Sequence, residues 1–221
     1  MPDKKCNSRY VEHPKLRSMR VRCWFNAVSQ ISGLTTGQLE REFGEKGAER
    51  APRSCIWNKY RRGEVVPRSR RPCDHSKKLV ERVESRYPGT AKWLTSPLWR
   101  LADPAPMEMS EIRRIYEGLP KVIRSIFVEP ESKTKSIFWR RSVKPKLACE
   151  MLLRFRNVDA LIALLTMVKE AEIMQDRTQY GVAVNALLED LWLSVDRHFN
   201  YTYVDIELTR FLQSRWKQVT N

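Results

Sequence analysis

Helical spacing is the feature that most limits what this chain can fold into. Along nearly all of its 221 residues, apolar side chains recur three and four positions apart, and Gly or Pro ends most of these runs. The strongest run is Val158–Met174, whose apolar face is unusually wide, whereas only Tyr201–Val204 suggests a strand. Because spacings of three and four place side chains on one face of a helix, the pattern predicts an all-α fold.

The same spacing divides the chain into a series of helices. Ser110 and the pair Thr35–Thr36 are typical N-cap residues, and the polar, basic stretch Val128–Val143 is predicted to be a long loop. Ala91–Leu101 is rich in Trp and Leu and is predicted to be a packing segment. Besides Val158–Met174, the predicted helices are Leu16–Ile31, Thr36–Phe43, Arg53–Arg62, Ser76–Tyr87, Ser110–Glu117, Lys121–Phe127, Lys146–Arg156, Tyr180–Phe199 and Val204–Val219.

A proline-rich break separates two parts of the chain. Asp103-Pro104-Ala105-Pro106 has two prolines in three positions, and proline cannot continue a helix because it lacks the backbone N–H and its ring clashes with the preceding turn. We therefore predict one part over residues 1–102 and another over residues 107–221.

Positive charge is concentrated in the first part. The chain carries 41 Lys and Arg against 26 Asp and Glu, a net charge of +15. Residues 1–100 contribute 23 basic and 10 acidic residues, hence +13; within the rest, residues 133–156 carry +7 and residues 157–221 carry −3. A field this uneven attracts polyanions and speeds their encounter with the protein. DNA, RNA and an anionic membrane surface are the ligands that charge alone suggests.

Several classes of protein are disfavoured. No apolar run is long enough to span a bilayer, and Met1–Tyr10 lacks the apolar core of a secretory signal. The five cysteines are odd in number and widely spaced, which favours a reducing compartment over a disulfide framework. Cys73 and His75 form the only metal-like pair and lack the second pair that zinc needs. We therefore expect a cytoplasmic protein with no membrane contact, no metal and no cofactor.

The most informative motif is the segment Ile56–Pro67. Trp57 and Tyr60 lie three positions apart, so they share a helix face and are predicted to anchor the helix in the core. The outer face is then predicted to be polar and basic, with Asn58, Lys59, Arg61 and Arg62. A short helix divided in this way can enter a major groove, where Arg reads guanine and Asn reads adenine. Gly63 permits the positive φ that ends such a helix.

In this register the segment resembles the Cro/Xre-type helix-turn-helix family of bacterial and phage regulators. The recognition helix of that family typically ends aromatic-Glu-Arg-Gly with Pro four positions after the Gly, and the matching residues are Tyr60, Arg62, Gly63 and Pro67. The chain departs from the pattern in two ways: Arg61 replaces the Glu, and the stretch between the two helices is longer than is usual. The resemblance covers residues 30–87 and implies a DNA-binding helix-turn-helix in the first part.

Two groups of residues are candidates for binding nucleic acid. The first, around the motif, comprises Arg53, Ser54, Asn58, Lys59, Arg61, Arg62, Arg68, Arg70 and Arg71. The second is a basic cluster with Phe138 and Trp139 among its cations, a mixture that suits stacking on bases and neutralising phosphates; it comprises Lys133, Lys135, Arg140, Arg141, Lys144 and Lys146. For the first group the alternatives are a helical bundle whose surface happens to be basic and a helix-turn-helix used only for protein contacts. For the second group the alternative is a loop whose aromatic side chains pack in the core.

The resulting hypothesis is a DNA-binding protein, with RNA as an alternative ligand, that acts as a bacterial or phage-related transcriptional regulator. Residues 1–102 would form the helix-turn-helix-like domain. Residues 107–221 would form a helical bundle that dimerises or binds a protein partner, through residues 158–219. The rival hypothesis is a non-catalytic adaptor in a larger bacterial assembly, from a mobile element or a phage-defence system. No His lies beside a nucleophile in a known catalytic pattern, so we expect no enzyme; a nucleic-acid-processing activity is the third alternative.

Overall fold

A computed structural model describes residues 10–44, 55–67, 79–128, 141, 143–188 and 204–217. Within these ranges the chain is helical and forms no sheet, which confirms the all-α prediction. The helices are α1 Pro14–Ser32, α2 Thr36–Phe43, α3 Ile56–Arg62, α4 Leu79–Arg86, α5 Lys92–Thr95, α6 Leu98–Ala102, α7 Met109–Gly118, α8 Lys121–Phe127, α9 Pro145–Phe155, α10 Val158–Met174, α11 Arg177–Ala186 and α12 Asp205–Lys217.

Several predicted helix ends agree with the structure, and three need correction. Helix α3 begins at Ile56 and not at Arg53, because Cys55 has a left-handed backbone conformation. Helix α11 begins at Arg177 and not at Tyr180, because Asp176 caps it. The bounds of α2, α8 and α10 match the predictions residue for residue. Ser110, predicted to be an N-cap, is instead inside α7. The cap is Glu108, whose backbone N–H donates to Glu111 Oε2 at 3.1 Å, as the residue three positions on does in a capping box. The predictions for residues 68–72, 129–140, 189–199 and 201–203 lie outside the described residues.

The larger of two buried clusters surrounds α10. Every residue from Ala160 to Ala171 is buried, because α6, α7, α9 and α11 pack around this helix. A helix covered on all sides is apolar on all sides, which explains the wide apolar face in the sequence. That face is occupied within the chain itself. It therefore gives no support to a partner surface on α10, and partner binding through residues 158–219 stays a prediction.

The smaller buried cluster joins α1, α2, α3, α4 and α5. Its large members are aromatic, with Trp24 and Phe25 from α1, Phe43 from α2, and Trp57 and Tyr60 from α3. This cluster fixes α3 against α1 and α2, and α3 contacts both of these helices.

Helix α1 belongs to both clusters. Its residues Leu16, Met19 and Cys23 pack in the larger cluster, whereas Val21 and Trp24 pack in the smaller one. Helix α6, which precedes the proline-rich break, also packs in the larger cluster. The break at residues 103–106 is not helical, as predicted, but the packing does not divide there.

A hydrogen-bonded carboxylate holds this break in place. Asp103 is 2% exposed and accepts hydrogen bonds from Tyr10 Oη at 3.0 Å, the His13 N–H at 2.8 Å and the Ala105 N–H at 2.9 Å. Burial alone would raise the pKa of Asp103, but these bonds and the charge of Arg100 lower it below its ordinary value. The break is thus tied to the segment that leads into α1.

A buried lysine lies on the other side of the break. Lys169 on α10 is 1% exposed, and its Nζ donates to the Ala105 carbonyl at 3.2 Å and contacts Glu172 at 3.2 Å. Burial and the nearby charge of Arg215 lower the pKa of Lys169 to about 8, although Glu172 opposes the shift. Arg215 on α12 also donates to the Ala102 and Asp103 carbonyls at 3.4 Å. Helices α6, α10 and α12 therefore meet at one polar junction.

Candidate nucleic-acid interface

Helix α3 is divided into a buried face and an exposed face, as its sequence predicts. Trp57 is fully buried and Tyr60 is 5% exposed. The exposed residues are Lys59, Arg61 and Arg62, and Asn58 is half-buried. The predicted orientation of Trp57 and Tyr60 is therefore confirmed, and the cations of this helix are accessible to a ligand.

Aromatic contacts fix the orientation of α3. The rings of Trp24 and Trp57 stack with centroids 5.6 Å apart, and Tyr60 meets both of them edge-on at 5.5 and 5.7 Å. The ring centroid of Phe43 on α2 lies 5.9 Å from that of Trp57. Such pairs each contribute about 0.5–1.5 kcal/mol beyond their buried area, and they also restrict rotation of the helix about its axis. The exposed face of α3 is thus held in one direction.

A carboxylate on α2 contacts the first turn of α3. Glu40 Oε2 accepts a hydrogen bond from the Trp57 backbone N–H at 3.3 Å. The first N–H groups of a helix have no partner within the helix, and a negative charge near them is favourable. Glu40 therefore links the two helices that the sequence predicts to form the motif. Sequence analysis missed this contact, because the two residues are 17 positions apart and nothing local pairs them.

Gly63 ends α3 in a close contact with α1. Its φ is +70°, and its N–H donates to the Tyr60 carbonyl at 2.9 Å, as predicted for a glycine that ends a helix. The contact with α1 was not predicted. A Cβ at this position would lie 2.6 Å from the Ser18 carbonyl oxygen and against Ser18 Oγ. Glycine is needed here for both its backbone angle and its size.

The cations on the exposed face of α3 differ in their partners. Arg62 pairs with Glu64, with Nε at 2.5 Å from Oε1, and both side chains are about half exposed. This pairing raises the pKa of Arg62 and lowers the pKa of Glu64. Lys59 and Arg61 make no ion pair with any described residue. Lys59 and Arg61 are therefore the cations of α3 that are most available to a phosphate.

A second acid holds an arginine beside the same end of α3. Arg22 of α1 forms two hydrogen bonds to Glu207 of α12, one of them 2.8 Å from Nη1 to Oε1 and the other from Nη2 to Oε2. The local sequence does not predict this pair, because 185 positions separate its two residues.

The remaining predicted residues are only partly described. Arg53, Ser54, Arg68, Arg70 and Arg71 of the first group, and Lys133, Lys135 and Arg140 of the second, lie outside the described residues. The described members of the second cluster, Arg141, Lys144 and Lys146, are exposed near the start of α9. The Arg141 side chain donates to the Ser125 carbonyl at 3.0 Å, which places this cluster on the end of α8.

A broad groove lies behind the turn that follows α3. Its volume is about 750 Å³, and its lining includes Val66, Pro67 and Trp99. Two of its carboxylates are engaged by the protein itself: Glu12 pairs with Arg20 at 2.7 Å, and Glu84 accepts hydrogen bonds from the Gly89 and Ala91 N–H groups and Thr90 Oγ1.

Two further features bear on the class of ligand. Among the described helices none has the length and apolarity needed to cross a bilayer. In the same residues no group of three His, Cys, Asp or Glu side chains is placed to hold a metal ion, and the pair Cys73 and His75 lies outside them.

Comparison with protein-family models, curated proteins and solved structures gives no match to this chain. The resemblance to Cro/Xre-type regulators therefore depends on the residues of the motif and stays a prediction.

Proposed function

We propose that this protein binds nucleic acid, and DNA in particular, through the outer face of α3. The observation that supports the proposal most directly is the division of this helix, in which Trp57 and Tyr60 are locked in an aromatic cluster while Lys59, Arg61 and Arg62 are exposed. A buried seam and a cationic outer face are what a recognition helix needs.

The dimensions of α3 agree with groove binding. An α-helix with its side chains is about 10–12 Å in diameter, and the major groove, about 12 Å wide, admits it. The seven residues of α3 give it a length of about 10 Å. In this proposal Lys59 and Arg61 contact phosphates or guanine edges first, because neither forms an ion pair with a described acid. Asn58 and Arg62 complete the set of base-reading side chains, with Arg62 exchanging Glu64 for the ligand.

The finer proposal is a transcriptional regulator that binds two DNA half-sites as a dimer. It is supported by the resemblance of residues 30–87 to Cro/Xre-type proteins, whose dimers match the symmetry of their operators. Light scattering coupled to size-exclusion chromatography tests it, because a strict monomer with and without DNA would contradict the dimeric regulator while leaving nucleic-acid binding in place.

The test of the binding proposal is a salt titration with matched variants. DNA affinity is measured by fluorescence anisotropy on a labelled duplex over a range of salt concentrations, for wild type and for the double variant Lys59→Gln/Arg61→Gln. Each phosphate contact contributes about 0.9 to the slope of log K against log salt. The double variant is expected to lower that slope by nearly two and to weaken binding at every salt concentration.

The control removes two exposed cations far from α3. Arg154 on α9 and Arg177 on α11 are exposed, and the variant Arg154→Gln/Arg177→Gln has the same net charge as the test variant. It is expected to bind within about twofold of wild type. Equal losses in the two variants would mean that net charge, not α3, drives binding, and a wild type that binds no nucleic acid at low salt would refute the proposal outright.

A further inference from the structure

The ion pair between Arg22 and Glu207 joins the first and last described helices. The guanidinium meets the carboxylate through two hydrogen bonds, yet the pair is not enclosed: the side chain of Arg22 is 25% exposed and that of Glu207 is 47% exposed. Arg22 Nε is buried and finds no hydrogen-bond partner in the described part of the chain. The carboxylate therefore accepts hydrogen bonds from Nη1 and Nη2 of Arg22 but none from Nε.

The pair lies beside the end of α3. Ser18, one turn before Arg22 on α1, touches Gly63, and Arg22 Cγ would be 3.1 Å from a Cβ at that glycine. The aliphatic stem of Arg22 thus packs on the turn that ends α3. Arg62, at the same end of α3, is also held by a carboxylate, that of Glu64. Arg22 on α1 and Arg62 on α3 are therefore both paired with acids, whereas Lys59 and Arg61 form no ion pair with a described residue.

An ion pair that is partly exposed, as this one is on the side of Glu207, is open to exchange. Pairs at the surface contribute only about 0–1 kcal/mol, because water solvates both partners well. A phosphate offers the guanidinium the same two-oxygen geometry with a larger negative charge, so it competes effectively with a carboxylate. Arg22 could therefore leave Glu207 for a phosphate at little cost.

We propose that Arg22 is a further phosphate contact beside α3, and that Glu207 of α12 is a competing anion that restrains it. The inference depends on the proposed function and extends it by naming a residue of the interface and the acid that weakens it. Through this acid the C-terminal helix lowers the affinity of the DNA-binding surface. A polyanion binds at full strength only when it displaces Glu207 from Arg22.

The experiment is a double-mutant cycle in the DNA titration. The variants are Arg22→Gln, Glu207→Gln and both together, with Glu117→Gln as control. Glu117 is also an exposed carboxylate in an arginine pair, with Arg113 on α7, so its replacement makes the same change in net charge at another place. Circular dichroism establishes that each variant is folded, and Arg22→Lys, which keeps the charge, substitutes for Arg22→Gln if that variant is unfolded.

Three results are expected. Arg22→Gln lowers the slope of log K against log salt by about one, a change that a merely structural residue would not make. Glu207→Gln strengthens binding about fivefold at 0.1 M salt, roughly the worth of an exposed pair, whereas Glu117→Gln changes it less than twofold. In the Arg22→Gln background the effect of Glu207→Gln falls to that of Glu117→Gln, because the competition is gone.

The failures of the two proposals are distinguishable. An unchanged slope in a folded Arg22→Gln protein, or equal effects of Glu207→Gln and Glu117→Gln, overturns the role of Arg22 while the Lys59→Gln/Arg61→Gln result still supports α3. With Arg22→Lys, retention of the wild-type slope is expected and its loss overturns the proposal. Absence of binding by wild type removes the proposed function and this inference together.

Discussion

The two buried clusters of this protein are built from different side chains and leave different surfaces. The cluster around α10 is mostly aliphatic and covers that helix on every side, so nothing of its apolar face remains exposed between Ala160 and Ala171. The cluster around α3 is aromatic and covers one face only, and it leaves the cations of the other face in solvent. The first arrangement stabilises a bundle, whereas the second holds a short helix with its cationic face in solvent.

The largest expected effect is the loss of an aromatic anchor. Trp57→Ala removes the ring that Trp24, Phe43 and Tyr60 contact, and a cavity of this kind costs about 3–5 kcal/mol of unfolding free energy. Hydrogen exchange should show faster exchange in α2 and α3 while the amides of α10 keep their protection. Leu164→Ala on α10 is the matched variant. It should speed exchange in α10 while the amides of α2 and α3 keep their protection. If both variants speed exchange throughout the chain, the two clusters are one cooperative unit and the comparison fails.

The next effect concerns Asp103, the carboxylate that holds the proline-rich break. Asp103→Asn is expected to cost about 1–3 kcal/mol at pH 7, because three hydrogen bonds to a charged acceptor are weakened. The pKa of Asp103 is lowered in the folded protein, so its contribution is complete above the ordinary pKa of an Asp and is lost as pH falls through the folded value. Denaturant unfolding should therefore show a difference between the proteins that shrinks in acid. A difference independent of pH would mean that the charge of Asp103 is irrelevant.

A smaller effect separates two glycines that have the same backbone angle. Gly33 and Gly63 both end helices, with φ of +68° and +70°, but a Cβ on Gly33 meets nothing within 4 Å whereas one on Gly63 meets Ser18. Gly33→Ala is expected to cost about 1 kcal/mol for the strained φ, and Gly63→Ala about 2 kcal/mol or more because α3 must also move away from α1. Thermal melting compares them. Equal losses of stability in the two variants would show that the close approach of α3 and α1 adds nothing to the cost of a Cβ at Gly63.

A separate effect, which depends on pH, tests the buried lysine of the larger cluster. Because the pKa of Lys169 is lowered to about 8, the folded protein releases this proton at lower pH than the unfolded chain does. Its charge therefore destabilises the fold below pH 8, and this penalty is relieved between about pH 8 and 10.5. The unfolding free energy of wild type should therefore rise over this range, whereas that of Lys169→Met should not. The difference in unfolding free energy between the two proteins should change accordingly. A constant difference would contradict the role assigned to burial.

The comparison of the clusters also explains what the sequence could predict. Helix α10 was predicted with its true ends because its apolar run is long and periodic, and α3 was predicted with the correct buried face because Trp57 and Tyr60 lie three apart. These signals are local. The contacts of Glu40 with Trp57, Ser18 with Gly63 and Arg22 with Glu207 join distant positions, and they depend on how helices pack rather than on spacing.

The double role of α1 was also beyond local patterns. The predicted helix Leu16–Ile31 has apolar residues on several faces, but spacing alone does not say that one face belongs to each cluster. Likewise, a wide apolar face on α10 is equally consistent with an internal core and with a partner surface until its neighbours are known. The structure assigns it to the core.

The most direct test of α3 as the interface is a thiol footprint at its first turn. Cys55 precedes α3 and is exposed, whereas Cys23 and Cys149 are buried. In a protein with Cys6→Ser and Cys73→Ser, alkylation of Cys55 is followed by mass spectrometry with and without saturating DNA, alongside a control thiol introduced at the exposed Ser110 on α7. We expect DNA to slow alkylation of Cys55 at least tenfold and to leave the control unchanged. Saturating DNA that leaves Cys55 as reactive as in the unbound protein would contradict the central claim.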